Sequence, residues 1–461
     1  MFIDNVISRQ KEKVRSREQQ AEIEISMMEQ LRFFLPLGLM QMFISFTHSL
    51  FNAACAKLPN PEIYLSAFAI GKNVLLLIQN PVSMIKQTVT ALVDDEASYL
   101  KIRKFFLMAT TVIVLFFALF TLLGGAQWML ANVMGIKGQV LKEAVTILKV
   151  FIIFPVVVGL RNFVQGTSIK FRMTPVITLA AFIRVIYVAL LLLFIDKLLW
   201  IPGGILIAGL FLSSIIVETL VVCIIMKIMV KNPAKEFEQM KLNQMLDGEE
   251  RGVISTRLIM SFFIPLSVTA LIRTLALPII DGGLARTVAP EVAISSFAVA
   301  WGLGIIISGT LMMFHQVPLN FIKSEGHRGQ IRSVKRFAVY VAMVLSIVIG
   351  IIAFTPLGVY ITHELIGATE EITFLAVDAL KIMTLLPLVM TARQYYWGIL
   401  MRQKRTKIIG KGKIVNVISL TTAVIIGALI NPVNPAIIGM IGMVAAEFLE
   451  SLYLCYQTEG K

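Results

Sequence analysis

A chain of 461 residues that is 57% hydrophobic and 15% charged, with a mean hydropathy of +0.82, has too little polar composition for a soluble globule. Its formal charge of +14 reads as lysine and arginine retained on the cytoplasmic side of a membrane, not as a nucleic-acid surface. Apolar runs of about 20 residues recur throughout, the length that crosses a hydrocarbon core ~30 Å thick.

Residues 1–30 carry Arg9, Lys11, Lys13, Arg15 and Arg17, then AEIEISMMEQ. They contain no apolar run, so no cleavable signal peptide is expected. A solvated, partly helical cytoplasmic arm is expected instead. Twelve spans follow. Six are expected near 31–56, 62–92, 104–126, 139–165, 173–195 and 202–227, and six near 257–283, 290–322, 336–357, 372–400, 407–429 and 434–457. The apolar pieces 127–136 and 358–367 are too short to span and are expected along the outer interface. The organisation is thus an arm (1–30), an N-lobe (31–227), a polar, helix-compatible linker (228–256), a C-lobe (257–457) and a tail (458–461).

The two lobes are copies. LKVFIIFPVVVGLRNFVQGTSIKFRMT (148–174) aligns with LKIMTLLPLVMTARQYYWGILMRQKRT (380–406) at an offset of 232, matching Lys149/Lys381, Pro155/Pro387, Arg161/Arg393 and Gly166/Gly398. Glu218 and Glu450 fall at the same offset. Nearer the start, RFFLPL (32–37) matches SFFIPL (261–266) and Gln87 matches Gln316 at an offset of 229. Six spans per copy put both copies the same way up, related by a pseudo-two-fold axis along the membrane normal. The fold class is therefore an all-α polytopic membrane protein of two parallel six-helix repeats.

With the N-terminus inside, the inner loops hold Lys101, Arg103, Lys170, Arg172, Lys231, Arg328, Arg332, Arg402 and Lys404, against Lys57, Lys137, Lys197 and Arg286 outside. This bias predicts a multi-pass protein of the plasma membrane with both termini cytoplasmic. No GxxxxGK[ST] phosphate cradle occurs, Cys55, Cys223 and Cys455 form no CxxC, and the four histidines are scattered. The expectation is no enzyme, no metal and no cofactor. Transport would run on a gradient or on the substrate itself, not on bound ATP; a proton or a sodium ion could couple it.

Two six-helix halves opening with FFLPL and FFIPL, second helices LSAFAIG and ISSFAVAW, and fourth helices of the form P…R…G resemble the multidrug/oligosaccharidyl-lipid/polysaccharide (MOP) flippase superfamily. Its multidrug and toxic compound extrusion (MATE) proteins and its progressive-ankylosis-like exporters are the nearest patterns. The resemblance implies a V-shaped pair of bundles working by alternating access around a cavity lined by helices 1, 2, 7 and 8. The acidic residue of the MATE pattern in helix 1 is replaced here by HSLFNAACA, with Asn52, and its repeat mate is Asp281.

An ionisable group inside a span costs about 2.5–3.5 kcal/mol on insertion scales, so each needs a reason. Basic candidates are Lys72, Lys149, Arg161, Arg184, Arg273, Lys381 and Arg393; acidic ones are Glu218, Asp281, Asp378 and Glu450. Lys72, Arg273, Asp281 and His48 are expected on the substrate path, with Trp301 at the repeat position of Lys72 and with Lys149 and Lys381 at mid-membrane. Asp378 is placed to pair with Lys381 at i,i+3. Pro155 and Pro387 break the fourth and tenth helices; the break reads as a static kink, with a hinge as the functional alternative. Tyr395, Tyr396 and Trp397 read as interfacial belt residues. Arg161–Glu218 and Arg393–Glu450 are expected as ion pairs within each lobe.

Seven basic against four acidic groups leave the interior cationic. The reading is a gradient-driven exporter of a small organic solute, anionic or amphiphilic. The alternatives are a flippase for a lipid-linked phosphate, a cation-coupled multidrug antiporter, and a non-transporting membrane scaffold.

Overall fold

The computed structural model describes residues 24–246, 254–323, 328–430 and 432–459. The expected arm, up to residue 23, and residues 247–253 of the linker lie outside the described residues. The chain begins with α1 (Met27–Ala56), α2 (Pro61–Ser83), α3 (Ile85–Leu92), α4 (Glu96–Leu122), α5 (Gly138–Val150), α6 (Phe154–Lys170), α7 (Thr174–Leu193) and α8 (Gly203–Met229). The linker contributes α9 (Pro233–Leu246). Next come α10 (Thr256–Arg273), α11 (Ala276–Leu284), α12 (Pro290–Ser308), α13 (Gln316–Phe321) and α14 (Arg328–Phe354). The chain closes with α15 (Glu370–Met383), α16 (Leu386–Arg402), α17 (Thr406–Ile430) and α18 (Ala436–Glu459).

Among the described residues ten helical stretches are long and apolar enough to cross a membrane, or eleven if α15 and α16 form one span bent by 42°. The first expected span falls within α1, whose 30 residues rise ~45 Å at 1.5 Å each but which is not one of those ten. Helices that face lipid leave large apolar side chains uncovered at helical spacing. On α4 these are Leu115, Leu119 and Leu122, and on α14 Tyr340, Val344, Ile347 and Ile351. This is a multi-pass membrane protein.

Local chemistry sets the helix ends. Asp95 caps α4 by accepting from the Ser98 N–H at 2.7 Å while the Ser98 hydroxyl accepts from the Asp95 N–H at 2.9 Å. The helix therefore starts at Glu96, ahead of the expected 104, because the capping box works in the polar segment where hydropathy is blind. The turns after α6 and α16 are alike. Arg172 (φ 58°) and Lys404 (φ 59°) take the left-handed conformation. Met173 N–H donates to Ser168 O, and Arg405 N–H to Leu400 O, each at 2.8 Å. That six-to-one bond closes a Schellman turn, and it recurs 232 residues on.

Pro155 and Pro387 each sit in the first turn of a helix, where a missing N–H costs nothing. The breaks lie just before them, as a 3-10 turn at Phe151–Ile153 and as Thr384–Leu385 between α15 and α16.

The chain forms two compact units. One is Leu39–Thr274; the other joins the described residues up to Gly38 to those from Leu275 onward. The boundary thus departs from the lobes read in the sequence by cutting α1 and by falling between α10 and α11. Phenylalanines account for the exchange. Phe34 meets Phe314 at 5.3 Å and Phe33 meets Phe321 at 5.2 Å, while Phe263 of α10 meets Phe105 of α4 at 5.1 Å. The core of the first unit centres on Phe211, whose ring lies 5.0 Å from Phe51, 5.5 Å from Phe68 and 5.2 Å from Phe154. The second unit has a largely aliphatic core around Phe297, Leu380, Met383, Leu420 and Val424. Helix α9 is seated on the first unit by Phe237, which stacks on Phe171 at 4.4 Å and leans on Tyr99 at 5.6 Å.

Candidate functional site: two buried ion clusters and the residues around them

Glu218 of α8 is fully buried and accepts from donors on two other helices. Its Oε2 takes Arg161 Nη1 of α6 at 2.9 Å and Arg184 Nη1 of α7 at 3.0 Å. Gln165, one turn beyond Arg161 on the same face of α6, donates from Nε2 to Oε1 at 3.1 Å. The Gln165 side-chain carbonyl in turn accepts from Lys86 Nζ of α3 at 3.4 Å. A carboxylate removed from water survives as an anion only with such partners.

The second unit builds the same object. Arg393 Nη1 lies 2.6 Å from Glu447 and 3.9 Å from Glu450, and Lys413 Nζ lies 3.3 Å from Glu450 and 3.9 Å from Glu447. Trp397 donates its indole N–H to Glu450 Oε1 at 3.0 Å, and Asn416 donates to Glu447 at 3.4 Å. At the offset of 232, Arg161 corresponds to Arg393, Gln165 to Trp397, Arg184 to Asn416 and Glu218 to Glu450. The second cation has moved three residues along its helix, from the place of Arg184 to Lys413. Glu447 is an addition, since Ile215 holds its place in the first unit.

Tight glycines hold these clusters. A Cβ on Gly166 would lie 2.8 Å from Lys86 O, and one on Gly398 would collide with His315 O and Pro318. These glycines therefore let α6 and α16 press against the C-terminal ends of the second and eighth expected spans. Past them, Lys170 pairs with Asp94 at 2.8 Å and Arg402 donates to Lys323 O at 2.6 Å.

The other candidates are dispersed. Lys72 is half-buried on α2 with its ammonium 5.7 Å from the Phe68 ring centre. Arg273 is exposed at the end of α10, and Asp281 is exposed on α11. Trp301 is half-buried, stacks on Phe297 at 6.3 Å and packs on the core of its own unit. Lys149 is exposed; Lys381 pairs with Asp378 at 2.7 Å. The side chain of His48 lies outside the described residues. The belt expectation for Tyr395–Trp397 is corrected. Tyr395 is buried, Tyr396 donates to Cys455 Sγ at 3.1 Å, and Trp397 serves Glu450, because this face of α16 meets α18. Among the described residues no group of three or more histidine, cysteine, aspartate or glutamate side chains could hold a metal ion.

Sequence reasoning missed Lys86, Lys413 and Glu447. The available signal was Glu447 three residues before Glu450, two carboxylates on one face of an apolar helix.

Residues 252–457 match the family model described as progressive ankylosis protein. A solved MOP superfamily transporter from Pyrococcus furiosus superposes with a TM-score of 0.73 at 17% identity, covering 96% of this chain and 97% of that one. MATE in a straight conformation gives 0.71 at 16% identity over 94% and 95% of the two chains. MATE in a bent conformation gives 0.69 at 16% over 92% of each. The fold is that of the MOP superfamily. The MATE-like resemblance read from FFLPL, FFIPL and the P…R…G helices thus holds along nearly the whole chain.

Proposed function

We propose that this MATE-like chain exports a small organic anion or anionic amphiphile by gradient-driven alternating access. Lys72 carries the reading. It sits within a span, half-buried, and among the described residues no carboxylate pairs with it; its ammonium stands over the Phe68 ring. An uncompensated intramembrane lysine is costly to keep. A substrate that brings negative charge offsets the cost, and one that brings positive charge adds to it. Arg273 and Lys149 supply further positive charge from the same unit. Asp281, Trp301, Lys381 and His48 complete the proposed path. The breaks at Pro155 and Pro387 supply the proposed flexure, and the Arg161–Glu218 and Arg393–Glu450 contacts the rigid bodies that move.

In this proposal the lysine and arginine bias places both termini in the cytoplasm and the chain in the plasma membrane. The coupling ion is a proton or sodium. The test is counterflow in proteoliposomes with radiolabelled organic anions, cationic drugs and fluorescent lipid phosphates. Accumulation of an anion supports the proposal. Accumulation of cations alone, movement of lipid alone, or no movement of any probe would replace it by the antiporter, the flippase or the scaffold.

A further inference from the structure

The two buried clusters share a scaffold and differ in charge. In the second unit two cations, Arg393 and Lys413, meet two carboxylates, Glu447 and Glu450. In the first, Arg161 and Arg184 share one carboxylate, Glu218, which among the described residues is their sole acidic partner. Lys86 adds a third positive group within electrostatic reach of Arg161 and Glu218. The repeat mate of Lys86 is His315. Its Nδ1 lies 3.1 Å from Met312 O and its Nε2 lies 3.1 Å from Gln316 Nε2. One cluster sets two cations against two carboxylates; the other sets two arginines against one carboxylate, with the basic Lys86 beside them.

A surplus of this kind is not a tolerable resting state in low dielectric. Donors also remain unused. Among the described residues the Nε of Arg161 and the Nε of Arg184, the latter 2% exposed as a residue, have no hydrogen-bond partner; the Nε of Arg393 in the second cluster has none either, but there the Oε2 of Glu447 is an unused acceptor, and the first cluster has no such spare carboxylate oxygen. Among the described residues the Lys86 ammonium donates to Gln165 alone, at the long distance of 3.4 Å. The side chain of Arg161 is 15% exposed and Lys86 is half-buried, whereas Glu218 and Arg184 are sealed, so Arg161 and Lys86 form the less covered side of the cluster.

We propose that the first unit binds one compact anion (a halide, or a carboxylate or phosphate group) between Lys86 and Arg161, over the Arg161–Glu218–Arg184 triad. The anion takes the role that Glu447 plays in the other unit. It is supplied either as a free inorganic ion or as the anionic end of the transported solute. The proposal deepens the anionic reading above, but binding alone tests it. A protein that binds the anion and transports no organic anion would overturn the function and leave the site standing.

The experiment is thermal unfolding of the purified full-length chain in detergent at constant ionic strength. Gluconate is replaced stepwise by chloride, bromide, acetate or phosphate. A saturable rise in the midpoint is expected, since a ligand bound only to the native state stabilises it. Lys86→Gln should weaken the apparent affinity at least tenfold. Ile215→Glu, which supplies the missing carboxylate at the repeat position of Glu447, should abolish the anion response while leaving the chain folded in gluconate. A wild-type midpoint indifferent to every anion, or a Lys86→Gln titration equal to wild type, overturns the site. So does a wild-type midpoint that follows pH through neutrality in gluconate yet ignores anions, since Lys86 would then shed a proton instead. In proteoliposomes, competition between chloride and solute assigns the anion to the solute's own end; stimulation by chloride assigns it to a free ion.

Discussion

Gln165 and Trp397, 232 residues apart in sequence, act alike, in that each donates a side-chain N–H to the Oε1 of a buried glutamate, Glu218 at 3.1 Å and Glu450 at 3.0 Å. An amide and an indole share nothing but that donor and its position one turn after an arginine. The geometry of the cluster outlasted the identity of its residues, which marks the carboxylate as the fixed point of each unit.

The two glutamates should not be equally replaceable. Glu218→Gln strands both Arg161 and Arg184, a loss of about 3–5 kcal/mol for a broken buried pair. Glu450→Gln leaves Glu447 at 2.6 Å from Arg393 and should cost roughly half as much. Thermal unfolding of the two variants in one detergent checks this; equal losses would contradict it.

Close approach at the duplicated glycines predicts a second asymmetry, between glycines. Gly398→Ala drives a Cβ into His315 O and Pro318, and Gly166→Ala one to 2.8 Å from Lys86 O and Val89. Overpacking of this kind costs about 1–3 kcal/mol. Gly209→Ala on α8 meets nothing within 4 Å and should be neutral or slightly stabilising. Folded yield and melting temperature of the three variants would show it.

Pro387 ends a break bent by 42°, and Pro155 ends a shorter 3-10 interruption. If these breaks flex in the transport cycle, Pro387→Ala should cut the transport rate several-fold in protein that still elutes as a single folded species. Pro155→Ala should cut it less. Unchanged rates in both would make the kinks static.

The positions of the spans were readable because hydropathy depends on composition alone. The Arg161–Glu218 contact was readable because both residues recur at one offset. Lys413 was not. It displaces the second cation three residues from the place of Arg184, which breaks the repeat register, and it follows basic residues that read as the inner edge of a span. The exchange of Phe34 and Phe263 between units was equally hidden, because packing partners far apart in sequence leave no periodic trace. Tyr395–Trp397 misled for the opposite reason. Aromatics near a helix end fit a belt by position, and the buried carboxylate that orients Trp397 comes from another helix.

Neutralising the path should lower transport without unfolding the protein. Lys72→Ala and Arg273→Ala are each expected to reduce the initial rate several-fold, with melting temperatures close to wild type. Full activity in both would remove these residues from the path.

The account stands on the sign of the charge that is carried. Its most direct test is the initial rate of uptake into proteoliposomes of two matched organic solutes, one bearing a carboxylate and the other an ammonium on the same skeleton, under an imposed proton or sodium gradient. The account predicts transport of the carboxylate at least tenfold faster than the ammonium, with the difference shrinking in Lys72→Ala. Faster transport of the ammonium, or equal rates for the two, would contradict it.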